Sequence, residues 1–239
     1  MKNQHGLSRD IPEATKLEIR RACGFGCVIC GDSLIQYEHI DPEFKDAKIH
    51  DPEAMALLCG GCHDKVTRGT WSKSKVAKAR ESPRCLADSF SRGVFDIGQQ
   101  HPYVVIGGMT LRSCRTPISY RGYPLISIDP AELPGGPFRL SATFRGPDGK
   151  PSLHVHQNEF QIRGEAWDVE SVGSRIKIRS SDGPYTLVLR ADPPNGLAVE
   201  KLHMCVGNQE LKADENALLV GGNSFTGCLA DGCEVGLAL

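Results

Sequence analysis

The sequence contains no run of eighteen apolar residues, so it offers no candidate transmembrane helix. Its first ten residues, MKNQHGLSRD, lack the apolar core of a secretory signal peptide. Aromatic residues make up only 6% of the chain, and the formal net charge is only −1. A charge that small excludes a protein that coats nucleic acid through a global positive field. We therefore expect a cytoplasmic protein with no membrane partner, in which any contact with nucleic acid is local.

Cysteine is abundant, with ten in 239 residues, but its distribution is uneven. A disulfide framework suits short secreted chains, and without an export signal we expect reduced thiols. Five of the cysteines crowd one quarter of the chain: Cys23, Cys27, Cys30, Cys59 and Cys62. The others are scattered, so only the first group carries a pattern, and metal binding explains that pattern best.

Two Cys-x-x-Cys pairs lie within the crowded group, Cys27 with Cys30 and Cys59 with Cys62, separated by 28 residues. Such pairs typically form two turns that present four thiolates to one tetrahedral zinc ion. The alternatives are buried free cysteines, or a redox site of the thioredoxin type, for which no βαβ pattern is visible. Zinc with four thiolates has no open coordination position, so it stabilises a fold but does not activate water. Any chemistry nearby needs a second metal.

Possible ligands for a second metal lie next to the cysteines. Residues 34–40 alternate as in a strand, which places Glu38 and His39 at its end, and His63 directly follows the second cysteine pair. A carboxylate and an imidazole can hold one divalent cation and leave positions for water and a phosphate oxygen. His39 then remains as a general base, because imidazole titrates near neutral pH. Taken alone, each histidine would be interpreted as an exposed or capping residue.

Three motifs together resemble the HNH endonuclease family in its zinc-stapled form: CVIC at 27–30, YEHIDP at 37–42 and LLCGGCHDKVT at 57–67. The resemblance covers roughly residues 10–72, under a third of the chain. It implies a ββα-metal finger in which His39 activates water. It also implies that Glu38 and His63 hold a catalytic Mg²⁺, Mn²⁺ or other divalent cation.

The chain departs from the family pattern at Ala54, where an asparagine is expected. That asparagine mainly braces the loop that carries the general base, so its loss could lower activity without removing a metal ligand. His50, Asp51 or Glu53 could replace it. Glu38 stands in place of the commoner aspartate, which keeps the carboxylate but lengthens its reach.

The coarse pattern of the chain predicts helix first and short strands later. Residues 11–22 have the spacing of an amphipathic helix with Asp10 as a candidate N-cap. Beyond residue 96, short β-rich runs alternate with turns such as GPDGK, SSDGP and DPPNG. We therefore predict an α+β protein: an N-terminal ββα-metal zinc finger domain, followed by a mostly antiparallel all-β domain, sandwich or barrel-like. The predicted divisions are residues 1–75, a basic linker or helix at 76–95, and residues 96–239.

Basic residues are concentrated after the second cysteine pair. Residues 64–92 hold eight Lys or Arg against three acidic residues. This segment could follow a phosphate backbone, or it could be only a solvated face. The candidate nucleic-acid-binding residues are Lys65, Arg68, Lys73, Lys75 and Lys78.

The function predicted from these features is a metal-dependent endonuclease or nickase that hydrolyses DNA phosphodiester bonds. The resemblance implies a setting such as restriction or antiphage defence. The β-rich domain would serve targeting or regulation, through a protein partner or a homo-oligomer. The alternative is a noncatalytic, zinc-stabilised module that binds nucleic acid or protein, which Ala54 makes plausible.

Overall fold

The protein forms two compact units in a computed structural model that describes residues 2–239. Unit 1 extends to Gly93 and also includes Arg163–Asp168, while unit 2 consists of Val94–Ile162 and Val169–Leu239. No helix in the described residues is both long and apolar enough to cross a membrane. Helices are few and most strand pairs are antiparallel, which confirms the predicted α+β class.

The helices and strands up to residue 94 are α1 (Glu13–Ala22), β1 (Ile35–His39), a 3₁₀ turn (Pro52–Ala54), β2 (Met55–Cys59), α2 (Gly60–Thr67), α3 (Lys73–Glu81), α4 (Arg84–Asp88) and β3 (Phe90–Val94). The predicted helix at 11–22 and strand at 34–40 are confirmed to within two residues. Asp10 is not the N-cap, because α1 begins after Pro12 without a side-chain cap. Asp10 instead contacts Ser8.

Unit 1 is built around β2, all five residues of which are buried. β2 pairs with β1 in antiparallel register, with Ile35 opposite Cys59 and His39 opposite Met55. Helices α1, α2 and α3 contribute buried side chains to the same core, among them Ile19, Val66 and Val76. Every residue of β2 is apolar, so both of its faces can be buried. The hydrophobic effect therefore favours the central position of β2 in unit 1.

Residues 163–168 join unit 1 through a buried ion pair. The Arg20 Nε lies 2.8 Å from a carboxylate oxygen of Asp168, and their side chains are 4% and 0% exposed. Arg20 also donates to the Tyr37 hydroxyl at 3.0 Å. A buried charge is tolerated only when it is paired and hydrogen-bonded. This pair therefore fixes the 163–168 segment against α1.

Unit 2 consists almost entirely of short strands: β4 (Tyr103–Ile106), β5 (Met109–Arg112), β6 (Thr116–Tyr120), β7 (Tyr123–Asp129), β8 (Arg139–Arg145), β9 (Pro151–His156), β10 (Glu159–Arg163), β11 (Asp168–Val172), β12 (Arg175–Arg179), β13 (Leu187–Asp192), β14 (Gly196–Val206), β15 (Gln209–Ala213), β16 (Leu218–Val220), β17 (Asn223–Phe225), β18 (Cys228–Asp231) and β19 (Val235–Ala238). The three predicted turns connect β8 to β9, β12 to β13 and β13 to β14.

The strands of unit 2 belong to two sheets. One contains β19, β6, β7, β8, β9 and β10 in that order, and the other runs from β11 to β17 in chain order and also includes β4, β5 and β18. Three pairs are parallel: β4 with β14, β5 with β18 and β6 with β19. Burial alternates along strands such as β8, as expected for sheets that bury one face.

Candidate metal centre and cleft

The four cysteines predicted to bind zinc lie together in unit 1. The sulfur atoms of Cys27, Cys30, Cys59 and Cys62 are all within 4.8 Å of one another. The Cys30 sulfur lies 3.5 Å from that of Cys59 and 3.8 Å from that of Cys62. A tetrahedral zinc with Zn–S bonds of about 2.3 Å requires sulfurs about 3.8 Å apart. This cluster could therefore bind a structural metal ion such as zinc.

Backbone hydrogen bonds bring the two cysteine pairs to the same place. The first pair forms a turn in which the Gly31 amide donates to the Cys27 carbonyl at 2.9 Å, with Gly31 in the left-handed region at φ +84°. The Val28 amide donates to the Leu57 carbonyl at 3.0 Å, which joins this turn to β2. Because β2 ends at Cys59, the second pair follows directly at the start of α2.

The local environment shifts the pKa values of Cys30, Cys59 and Cys62 in different directions. Burial raises the pKa of Cys30 to about 12 and also raises the pKa of Cys62. Burial opposes ionisation of Cys59 as well, but a backbone hydrogen bond from Cys62 and neighbouring thiols outweigh it and lower the Cys59 pKa. A bound metal cation would stabilise all four thiolates together.

Glu38 and His63 meet in a cleft beside the cysteine cluster. The His63 Nε2 lies 2.8 Å from a carboxylate oxygen of Glu38, whose side chain is 12% exposed. Glu38 comes from β1, and His63 lies one residue after Cys62 on α2. The cleft has a volume of about 550 Å³, and His39 also lines it. The cleft therefore contains all three residues that the resemblance singles out.

His39 is held in place by a second histidine. Its Nε2 lies 3.1 Å from the Nδ1 of His50, and the His50 Nε2 lies 2.9 Å from the Ser8 carbonyl oxygen. The His39 ring also packs against Phe44, with centroids 5.4 Å apart. His50 was one of the three residues suggested as a replacement for the missing asparagine. It is the one that contacts His39 directly.

These contacts determine the tautomer of neutral His39. A carbonyl oxygen only accepts hydrogen bonds, so the His50 Nε2 donates to it, and when both rings are neutral the His50 Nδ1 can only accept. His39 then donates through Nε2, which leaves the lone pair of its Nδ1 as the basic site. Burial is the largest cause that lowers the pKa of His39, and the positive charge of nearby Arg9 acts in the same direction. The lowered pKa favours the neutral form of His39.

Lys73 occupies a position that its sequence context did not suggest. Its ammonium group pairs with the second carboxylate oxygen of Glu38 and lies 2.6 Å from the His39 carbonyl oxygen. Burial lowers the pKa of Lys73. The Glu38 carboxylate and the His39 carbonyl oxygen together therefore hold a cation, the Lys73 ammonium group.

Comparison of the chain with protein-family models, with curated proteins and with solved structures found no match. The cleft and the cysteine cluster are therefore the features of the chain that indicate a function.

The other basic residues predicted to bind nucleic acid lie on and around α2 and α3. The Lys65 and Lys75 ammonium groups lie over the Trp71 ring, at 4.5 and 4.2 Å from its centroid. Arg68 pairs with Asp64 at 2.8 Å, and Lys78 is exposed. Their role in binding nucleic acid stays a prediction. Arg80, in the same segment, instead donates to the carbonyls of Met55 and Ala22 and so has a structural role.

Two features of the cleft were not identified from the sequence. Lys73 pairs with a residue 35 positions away, and nothing local signals this contact. Arg9 lines the cleft although it precedes the region of resemblance. In both cases the position depends on tertiary packing, which residue spacing does not encode.

Proposed function

We propose that unit 1 is a metal-dependent endonuclease or nickase of the HNH type, which hydrolyses phosphodiester bonds in DNA. The observation that carries this proposal is the meeting of Glu38, His39 and His63 in one cleft beside the four-cysteine cluster. The order β1, β2 and α2 agrees with the ββα-metal finger that the resemblance implies. The setting of restriction or antiphage defence remains part of the proposal.

His39 would act as the general base. Its Nδ1 takes a proton from a water molecule while the water oxygen forms a bond to phosphorus and the bond to the leaving sugar oxygen breaks. The leaving oxygen then takes a proton from solvent and departs as a hydroxyl group. His50 keeps His39 in the required tautomer through the Nε2 contact, and the Ser8 carbonyl keeps His50 in its own. This arrangement supplies the bracing that the family obtains from asparagine, so Ala54 is compatible with activity.

The residues of the cleft fit a single divalent cation. Glu38 and His63 supply one oxygen and one nitrogen ligand, a mixed set that Mg²⁺, and more readily Mn²⁺, accepts. When bound, such a cation would neutralise charge on the phosphate and on the leaving oxygen. Glu38 is largely buried and already interacts with a cation, the Lys73 ammonium, which supports its assignment as a ligand.

Replacing Lys73 by methionine is expected to strengthen Mn²⁺ binding, because the ammonium group and a divalent cation compete for Glu38. The side chain of Lys73 is 30% exposed, so the expected gain is about 1 kcal/mol, or about fivefold in affinity. Electron paramagnetic resonance of free Mn²⁺ would measure it. Lys78→Met, at an exposed position of the same helix, should leave the affinity unchanged. Weaker or equal binding in Lys73→Met would contradict competition at Glu38.

The four cysteines are proposed to hold one structural zinc ion, giving unit 1 the character of a zinc finger domain. The spacing of the sulfur atoms supports tetrahedral coordination. The zinc would connect the turn after α1 to the start of α2, and so fix His63 relative to β1. In this way the structural metal would position the catalytic one.

The second candidate function is a noncatalytic zinc-stabilised module that binds nucleic acid or protein. The contact between Lys73 and Glu38 favours this function. In a module without a catalytic cation, the Lys73 ammonium group would neutralise the Glu38 carboxylate in place of the metal. Unit 2 is proposed to serve targeting or regulation, through a protein partner or a second copy of the chain.

Supercoiled plasmid incubated with the purified full-length protein separates the two functions. With Mg²⁺ or Mn²⁺ added, the endonuclease proposal predicts conversion to the open circular form, since one cleft cuts one strand at a time. Conversion should require the added divalent cation. A folded, zinc-containing protein that leaves the plasmid supercoiled with either metal would favour the noncatalytic module.

A further inference from the structure

The cationic side chains that line the cleft are not equally available. Lys73 is paired with Glu38. Lys45 lies 3.4 Å from Glu43. Among residues 2–239 the structure gives Arg9 no carboxylate partner, and Arg9 is exposed to solvent. The cleft therefore contains one cation, the Arg9 guanidinium, whose charge is not already compensated.

Arg9 is also held in a defined position. Its guanidinium carbon lies 4.8 Å from the centroid of the Phe44 ring. The centroid of the same ring is 5.4 Å from that of the His39 ring, so Phe44 contacts both the arginine and the proposed base. A guanidinium that stacks on a ring uses its face, and its N–H donors, which point outward in the plane, stay available.

A second contact connects Arg9 to the base through the backbone. The carbonyl of Ser8, the residue before Arg9, accepts the hydrogen bond from His50. His50 in turn contacts His39. The same chain of hydrogen bonds that sets the tautomer of His39 therefore fixes the peptide next to Arg9. This is the arrangement expected for a group that must be aligned with the base.

We propose that Arg9 binds the phosphate group that the cleft acts on, through its free N–H donors. The ligand chemistry is a phosphodiester oxyanion, which a planar guanidinium recognises with two parallel hydrogen bonds. Arg9 is a substrate-binding residue that holds the phosphorus centre near His39 and neutralises part of its charge. This inference rests on the proposed nuclease function and identifies the backbone phosphate as the group recognised.

Arg9→Gln and Arg9→Lys test the inference in the full-length protein. Arg121→Gln is the matched control, because Arg121 is also exposed and lies over an aromatic ring, that of Tyr120, but belongs to unit 2. Binding of a short labelled DNA duplex would be followed by fluorescence anisotropy at several salt concentrations, without added divalent cation. Plasmid cleavage by the same proteins would be measured with Mn²⁺.

Arg9→Gln is expected to weaken DNA binding by about 10-fold to 100-fold, as for loss of a hydrogen bond to a charged group. The slope of log affinity against log salt should fall by about one, because one phosphate contact is lost. Arg9→Lys should retain the slope but recover only part of the affinity. Arg121→Gln should match the wild type.

Two outcomes would overturn the inference, and they are distinguishable. If the wild type cuts plasmid and Arg9→Gln binds DNA with the same affinity and salt slope, the Arg9 assignment is wrong and the nuclease proposal stands. If the wild type neither binds nor cuts DNA, both are wrong. Melting temperatures of the variants, expected to equal that of the wild type, would show that folding is unaffected.

Discussion

His39→Ala is expected to slow DNA cleavage by about 10² to 10⁴-fold, which corresponds to about 3 to 5 kcal/mol of activation free energy. The reason is that alanine cannot accept the proton of the attacking water, and no other described residue has the same pair of contacts to His50 and Phe44. Single-turnover cleavage of a labelled duplex would measure the rate. Zinc content should remain that of the wild type, because His39 is not one of the four cysteine ligands.

His156→Ala is the matched control, since His156 is an exposed histidine of unit 2. It should cut DNA at the wild-type rate. If His39→Ala also did so, the base would have to be another residue. His50 would be examined first, because it already shares a hydrogen bond with His39.

Cys59→Ser is expected to abolish zinc binding and to unfold unit 1. Closed thiolate sites contribute about 10 to 16 kcal/mol of apparent binding free energy, which exceeds the stability of most single domains. The Cys59 sulfur also caps α2 by accepting the Cys62 amide, but serine is a good N-cap, so the substitution tests the metal and not the cap. Elemental analysis and thermal unfolding followed by circular dichroism would provide the two readouts.

Cys205→Ser provides the control for this substitution, because Cys205 lies on β14 of unit 2 and is not one of the four clustered cysteines. It should retain about one zinc per chain. Cys59→Ser protein with the zinc content and melting curve of the wild type would contradict the structural-zinc assignment. Wild-type protein purified without chelator and found to contain no zinc would contradict it as well.

The cysteine cluster could be predicted from the sequence because its signal is local. Each Cys-x-x-Cys pair fixes two sulfurs within one turn, and the strand predicted at 34–40 brings the chain back between the pairs. Glu38, His39 and His63 were found for the same reason, since each adjoins a predicted strand end or a cysteine. Local spacing therefore identified these three residues, which line the cleft together.

The residue pattern between His39 and Cys59 indicates a loop, so β2 was implied only by the resemblance to the ββα-metal finger. The run MALLC is short and apolar at every position, and it follows a segment with Pro42, Pro52 and several charges. A run of this kind has no periodicity that distinguishes a buried strand from a loop or a helix. Only the pairing with β1 and the contacts with the surrounding helices define it as a strand.

Long-range contacts were also beyond reach of the sequence. The buried pair of Arg20 with Asp168 joins residues 148 positions apart. Asp168 belongs to the short segment Arg163–Asp168 that is part of unit 1. Charged residues at such distances are ordinarily interpreted as separate surface groups. The Lys73 contact with Glu38 is a similar case. Because of this contact, Lys73, which was predicted to bind nucleic acid, lines the cleft.

Isotopic labelling would show whether the protein hydrolyses phosphodiester bonds in DNA. Supercoiled plasmid would be incubated with the full-length protein and Mn²⁺ in water enriched in ¹⁸O, and the newly formed ends would be released as short fragments and weighed by mass spectrometry. We expect the plasmid to be cut and each new terminal phosphate to carry one ¹⁸O atom. Uncut plasmid, or ends without ¹⁸O, would contradict this expectation.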